Sequence, residues 1–316
     1  MNVDWLTWSN PVAIWWGFLL AVSVVNVALW LALFRFLPRR VLGGVLRVEV
    51  LVVLSAVYVF GCAFRSVLPR ADVQRIALFD TWLSSVAVGR SVATVAELCY
   101  AIQWAIVLYA LARSVRSPFT RGVAGGIVPL IVVAEGCSWY AVITTNYLGN
   151  TLENSLWVAT YLLIAIGLIP LLYRFTGALR ALIAAALVGI LGYAVFMFSV
   201  DIPMYVGRWQ ADLASGKELL GLFAGLHDAA TRRVVTRDLA PWHNEIAWLS
   251  LYFSVAVWTS LMLCGFVLIR DRLPYYRRRL SGRSRSWRGL ATPRAGARVA
   301  PARSVVRADP ARGGHR

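Results

Sequence analysis

Apolar residues along the chain fall into seven long runs, separated by short stretches that are polar or rich in arginine. Each run has roughly the 17–25 residues that a helix needs to cross the hydrocarbon core of a bilayer. We therefore predict an all-α integral membrane bundle, with one transmembrane domain over residues 1–270. The approximate bounds of its seven helices are 12–34, 48–64, 84–111, 123–145, 155–173, 181–200 and 244–269.

The distribution of arginine predicts how this bundle is oriented. The loops after the first, third and fifth predicted helices carry arginine with almost no acid, and the turn after the fourth carries none. The loops after the second and sixth balance their basic residues with aspartate and glutamate. By the positive-inside rule, the N-terminus is outside and the C-terminus is cytoplasmic.

The long hydrophilic stretch 201–243 is predicted to lie on the outer face. Pro203 is expected to end the sixth helix, because proline cannot continue a helix normally. Leucine and phenylalanine then recur at helical spacing, which predicts an amphipathic helix over about 212–231 in the membrane interface. That helix either covers the ends of other helices or acts as a lid.

The C-terminal segment 271–316 holds much of the formal net charge of +17, with thirteen arginines against Asp271 and Asp309. Its proline, glycine and serine content predicts a disordered cytoplasmic tail that contacts anionic lipid headgroups. We expect no nucleic-acid partner, because no folded nucleic-acid motif accompanies the basic residues.

Several kinds of chemistry are disfavoured by what the sequence lacks. The four cysteines all lie in apolar segments without CxxC spacing, and the three histidines are scattered. No phosphate-binding loop or hydrolase motif is present. We therefore expect no metal and no cofactor. The basic residues are almost all arginine, Lys217 being the only lysine, a composition that indicates a bacterial protein of the inner membrane.

Two carboxylates, Glu97 and Glu135, fall near the middle of predicted helices three and four. A carboxylate at this depth must face the bundle interior, hold a proton or find a partner. Arg90, Thr94 and Glu97 share one helix face, because they are separated by four and three residues. Arg90 is thus a predicted counter-ion for Glu135, or for Asp201 or Glu245 further along the chain.

A second polar set gathers at the predicted outer ends of the helices, much of it in the stretch 135–157. In a compact bundle these residues would surround the mouth of a cavity, although asparagine and aspartate also favour helix ends for local hydrogen-bonding reasons. Aromatic residues in the same halves of the helices suit a lipid or isoprenoid pocket. The polar set is Asn146, Asn150, Glu153, Asn154, Asp201, His243, Asn244 and Glu245.

Three functions fit this pattern. The first is an intramembrane enzyme acting on a lipid or isoprenoid, with Glu97 and Glu135 as general acid and base and at least one of them protonated. The second is a proton-coupled transporter using the same carboxylates, and the third is a non-catalytic subunit or sensor. The residues predicted to bind the polar part of a substrate are Arg90, Asn146, Asn150, Glu153, Asp201, His243 and Glu245.

Overall fold

The computed structural model of the chain describes residues 5–7, 9–36, 41–42 and 46–270. Over these residues the chain is predominantly helical, and seven of its helical segments are long and apolar enough to cross a membrane. The basic segment 271–316, predicted to be a disordered tail, lies outside the described residues.

The helices are α1 (Pro11–Phe36), α2 (Val48–Val67), α3 (Val86–Ser114), α4 (Pro118–Thr144), α5 (Tyr147–Leu172), α6 (Ala178–Phe196), α7 (Ile202–Ala214), α8 (Leu222–Thr231), α9 (Leu239–Leu251) and α10 (Val257–Arg270). Turns of π-helix, Met197–Asp201 and Tyr252–Ala256, join α6 to α7 and α9 to α10. The strands are β1 (Val41–Leu42), β2 (Leu46–Arg47), β3 (Arg70–Ala71), β4 (Ile76–Ala77) and β5 (Val234–Val235).

Helix α3 is the most buried of the seven spans. It packs against α2, α4 and α10, while α5 lies against α4 and α6 lies against α5. The helix α10 lies against α1, α2 and α3. Helix α6 packs against Trp248 of α9, and the cavity described below lies between α6 and α10.

Strands β3 and β4 form a short antiparallel hairpin at the end of the bundle where α2 finishes and α3 begins, which we call the α2–α3 end. Strand β5 joins β4 in parallel. Arg75 fastens this cap to the helices, because its guanidinium donates to Asp228 of α8 at 2.8 Å and to the carbonyl of Val142 at 2.7 Å. The hairpin thus places Arg70, Asp72 and Arg75 at the α2–α3 end of the bundle.

The prediction that Pro203 ends the sixth helix was wrong. The helix runs on from α6 through the π-helical turn Met197–Asp201 into α7, which reaches Ala214. Proline lacks a backbone N–H and its ring clashes with the carbonyl four residues earlier. A π-helical turn just before the proline widens the helix there, and such turns accommodate a break in the regular hydrogen-bond pattern.

The fifth helix begins earlier than predicted. The residues read as a polar turn after the fourth helix form the first turns of α5, which starts at Tyr147. Asn146 caps this helix by accepting from the backbone N–H of Leu148 at 3.0 Å, and Thr145 turns the chain with a φ of 58°. Asn150, Glu153 and Asn154 are consequently helical residues, and their side chains project inward from α5.

The predicted amphipathic helix over 212–231 is only partly present. Its first residues end α7, residues 215–221 are not helical, and α8 covers only Leu222–Thr231. Glycines at positions 216 and 221 interrupt the helical periodicity, and Gly216 takes a φ of 67°. Helix α8 packs on α4, and a Cβ added at Gly225 would lie 2.0 Å from the carbonyl oxygen of Ile143.

Candidate functional site

Three buried carboxylates surround the guanidinium of Arg90. Its Nη2 donates to Glu135 at 2.8 Å and to Glu97 at 3.0 Å, and its Nη1 donates to Glu153 at 3.4 Å. The four residues come from α3, α4 and α5, and each is at least nine-tenths buried. We call them the Arg90 cluster. Arginine suits this position because its planar, always charged fork can serve several acceptors at once.

Neighbouring polar side chains complete the Arg90 cluster. Thr94 donates to Glu135 at 2.6 Å and itself accepts from the indole of Trp139 at 3.1 Å. Asn150 donates to Glu153 at 3.3 Å. Within the described chain, Oε1 of Glu135 and Oδ1 of Asn150 are buried without a protein partner. Of these two, Asn150 lines the cavity, so its acceptor is available to a ligand or water.

Glu97 joins the Arg90 cluster to the far side of the bundle. Its Oε1 accepts a hydrogen bond from the hydroxyl of Tyr252 at 2.8 Å, and Arg65 lies 3.6 Å from the same atom. The guanidinium of Arg65 also stacks over the ring of Tyr252 at 5.0 Å, a distance typical of a cation–π contact. Glu97 is thus the one carboxylate of the cluster that contacts α2, α3 and the second π-helical turn.

A cavity of about 620 Å³ begins at the Arg90 cluster and extends through the bundle. This volume is within the range of small-molecule sites. Its polar wall lies at the α2–α3 end and includes three arginines and several acids and amides. Those residues are Arg65, Arg70, Arg90, Asp72, Gln74, Glu97, Asn150, Glu153, Asn154 and Glu245.

Seven aromatic side chains form a closed ring of contacts around the cavity, which we call the aromatic collar. Neighbouring ring centroids lie between 4.6 and 6.5 Å apart, the spacing of attractive aromatic pairs. Five of the seven membrane-capable spans contribute to it, and all seven side chains line the cavity. In order around the ring they are Tyr58, Tyr100, Trp157, Tyr161, Tyr193, Trp248 and Tyr252.

Beyond the aromatic collar the cavity becomes an apolar groove between α6 and α10. Leucine, isoleucine, alanine and glycine of α6 form one wall, from Gly192 down to Leu179, and α10 forms the other as far as Leu263. Several wall residues are also exposed on the surface of the bundle, among them Leu182, Val255 and Met262. The groove therefore opens sideways, within the segments that can cross a membrane.

The structure brings some of the predicted site residues together and separates others. Arg90, Glu97, Asn150 and Glu153 share the polar wall, and Glu245 joins them there. Glu135 contacts Arg90 but is not among the residues that line the cavity. Of the three counter-ions expected for Arg90, only Glu135 is paired with it, and Glu97 and Glu153 take the other places.

The remaining predicted residues have other surroundings. Glu245 pairs with Arg208 and Gln74, each at 3.0 Å, and Asp201 accepts from Asn154. Asn146 is a helix cap that also donates to Tyr140 at 3.1 Å, so its role here is the local one. His243 is exposed beside Asn244 and does not line the cavity.

Arg65 and Arg70 were not predicted as site residues, because they follow the second predicted helix, 48–64, and read as loop charges. Arg65 belongs to α2, and both side chains are buried against the cavity. Arginines that flank an apolar run look alike in sequence whether they face solvent or the bundle. The sequence held one signal of this burial. Asp72 follows Arg70 by two residues and is close enough to pair with it.

The carboxylate oxygens of Glu97, Glu135 and Glu153 lie within 4.8 Å of one another, close enough for three ligands of one cation. The Nη atoms of Arg90 already contact all three carboxylates. A metal ion at the same point would have to displace this guanidinium, so the geometry favours Arg90 as the cation of the cluster.

Searches of protein-family models, of curated proteins and of solved structures found no match for this chain. Its seven apolar spans and helical fold define a polytopic membrane protein of the helical-bundle class. What it does must be inferred from the cavity and the charged cluster.

Proposed function

We propose that the chain is an intramembrane enzyme that acts on a lipid or isoprenoid by carboxylate acid–base chemistry. The observation that carries this proposal is the continuity of one cavity, which joins the Arg90 cluster to an apolar groove that is open at its side. An amphiphile needs both halves, with its polar group among charged and amide side chains and its chain against apolar ones.

The charge balance of the Arg90 cluster supports acid–base chemistry. Arg65 and Arg90 supply two positive charges, whereas Glu97, Glu135 and Glu153 supply three negative charges when all are ionised. Buried charges that are unpaired are costly, so the third carboxyl is most stable when it holds a proton. A carboxylic acid beside carboxylates supplies both a proton donor and a proton acceptor, as general acid–base catalysis requires.

The roles follow from which carboxylates reach the cavity. Glu153 and Glu97 line it and are placed to exchange a proton with the polar group of a bound amphiphile. Glu135 lies behind Arg90 and acts through that arginine as a positioning residue. This division revises the sequence-based pair, in which Glu97 and Glu135 were the acid and base.

The proposal also covers the orientation of the protein in the membrane and the route by which a substrate enters the cavity. With the N-terminus outside and the C-terminus cytoplasmic, the α2–α3 end and its polar wall lie near the outer face of an inner bacterial membrane. A substrate would enter from the bilayer through the groove between α6 and α10, without leaving the hydrocarbon. The exposed apolar residues of α8, Leu222 and Phe223, would rest in the outer interface.

The test is comparative lipid mass spectrometry of cells that express the wild-type chain or Glu153→Gln at matched protein level. Glutamine keeps the size and the hydrogen bond of the side chain but cannot transfer a proton at neutral pH. Glu49→Gln is the matched control, because Glu49 is an exposed carboxylate in a membrane span. We expect a lipid species that changes with wild type and with Glu49→Gln but not with Glu153→Gln.

A lipid profile that is the same for all three proteins, each well folded, would contradict the enzyme. The second candidate, a proton-coupled carrier, would then be preferred. It is favoured by the two π-helical turns beside the cavity, since such irregular turns often mark functional or moving parts of a helix. Proton-dependent uptake by proteoliposomes, lost in Glu153→Gln, is its distinguishing measurement.

A further inference from the structure

The apolar groove is longer than one leaflet of a bilayer is deep. Below Tyr193 of the collar its α6 wall runs from Gly192 to Leu179, and a rise of about 1.5 Å per residue makes this wall about 20 Å long. A lipid chain in one leaflet spans half of the hydrocarbon core, which is about 15 Å. A chain that fills the groove must therefore exceed the length of one leaflet.

The cross-section of the cavity suits one chain. The aromatic collar stands between the polar wall and the apolar groove, and the hydroxyls of Tyr100 and Tyr161 meet across it at 2.7 Å, which leaves less room for a second chain. The two chains of a diacyl lipid would both have to pass this ring to place their shared polar group at the Arg90 cluster. A single chain passes it once and gains contact with aromatic faces and edges on every side.

The α6 wall beyond the aromatic collar has small side chains, which let a ligand approach the helix closely. Ala185, Ala186, Gly189 and Gly192 present small side chains to the cavity. A Cβ placed on Gly189 or Gly192 would meet no other atom within 4 Å, so the space beside each glycine is open. Both glycines are exposed at the side opening of the groove, so this wall leaves room for methyl branches along a chain.

We infer that the ligand of this cavity is a polyisoprenoid amphiphile, whose single long chain passes through the aromatic collar and lies in the groove between α6 and α10. This inference rests on the proposed function and specifies its substrate class. The polar group, which the Arg90 cluster receives, is placed at the α2–α3 end, and the far end of the chain reaches the level of Leu179 and Leu263.

The test uses purified protein in detergent, native mass spectrometry and thermal shift. The probes are geranyl, farnesyl and geranylgeranyl monophosphates, straight alkyl monophosphates of matched length, and dioleoyl phosphatidic acid. The test variant is Gly189→Trp, which fills the groove about 10 Å below the level of Phe196, seven residues away. Val188→Trp is the control, because Val188 is 71% exposed and does not line the cavity.

We expect wild-type affinity to rise at least about tenfold from geranyl to geranylgeranyl, since each additional buried carbon contributes apolar burial. Gly189→Trp should keep geranyl binding and lose at least about tenfold for geranylgeranyl, while Val188→Trp behaves as wild type. Equal binding of long and short chains, an unaltered series in Gly189→Trp, or equal or tighter binding of the straight chains or the diacyl lipid would overturn the isoprenoid inference and leave the enzyme proposal standing. Binding of no probe at all would overturn both.

Discussion

Tyr252 donates a hydrogen bond from its hydroxyl to Oε1 of Glu97 over 2.8 Å, although 155 positions separate the two residues in the chain. The bond links the aromatic collar to the Arg90 cluster, because Tyr252 belongs to the first and Glu97 to the second. This buried contact, together with Arg65 beside both residues, therefore fixes the charged and aromatic parts of the cavity relative to each other.

Tyr252→Phe and Glu97→Gln should show coupled effects on stability. Tyr252→Phe removes the donor of this buried hydrogen bond and Glu97→Gln removes the charge of its acceptor, so the double variant should be more stable than the sum of the single losses by about 1–3 kcal/mol. The free energy of unfolding in detergent, measured as a double-mutant cycle, checks this. Tyr109→Phe is the control, because Tyr109 is 40% exposed on α3. Additive losses would show that the two side chains do not interact.

Arg90→Gln should destabilise the fold by about 3–5 kcal/mol, because three buried carboxylates would lose their common cation. Arg113→Gln removes the same charge from an exposed position of the same helix and should change stability by less than about 0.5 kcal/mol. Thermal unfolding of the two variants gives the comparison. Adding Glu135→Gln to Arg90→Gln should recover part of the loss, and no recovery would contradict a charge-balance role.

Arg70 and Arg75 lie in the same hairpin region and are both buried, yet their replacement by methionine should have opposite results. Arg70 donates only its Nε, to Asp72 at 3.0 Å, and its two Nη atoms are buried without a partner, whereas Arg75 donates to Asp72, Val142 and Asp228. Arg70→Met should leave stability unchanged or raise it by about 1–3 kcal/mol. Arg75→Met should lower stability, because the substitution removes the contact with Asp228 of α8 and leaves the carbonyl of Val142 without its donor.

The pH dependence of stability gives an independent check on Arg70. Burial lowers the pKa of Arg70 from 12.5 to about 10, with Asp72 opposing the shift. The unfolded chain therefore binds the proton more tightly, and the cost of the buried charge is present in full below pH 10. The free energy of unfolding attributable to Arg70 should rise as the pH increases from 10 towards 12.5. Hence the difference in free energy of unfolding between wild type and Arg70→Met should shrink over that range. A constant difference would contradict the cost of the buried charge on Arg70.

Gly149→Ala should be strongly destabilising, whereas Gly136→Ala should be neutral or slightly stabilising. A Cβ on Gly149 would lie 2.5 Å from the carbonyl oxygen of Cys137 and 2.7 Å from Ala141, so α4 and α5 would have to separate. A Cβ on Gly136 meets nothing within 4 Å, and alanine has the higher helix propensity. Melting temperatures of the two variants test this prediction. Similar changes in melting temperature for both variants would show that α4 and α5 are not in close contact.

The seven spans could be predicted from the sequence because hydrocarbon imposes a length of apolar chain that is visible locally. The depth of Glu97 and Glu135 and the shared face of Arg90 with Glu97 were visible for the same reason. The groups that meet across helices were not, and neither were the start of α5 and the continuation past Pro203. Polar residues at a helix end fit a turn and a buried helical face equally well, as Asn150 and Glu153 show.

The sequence by itself determined that this is a membrane-spanning helical protein with acids and an arginine at membrane depth. Only the tertiary structure decided that Arg90 serves three carboxylates, that Arg65 turns inward, and that seven aromatic residues from five membrane-capable spans form one collar. The reason is physical. Periodicity records which face of a helix is apolar, whereas contacts between helices depend on their rotation, depth and neighbours, which packing of the whole bundle sets.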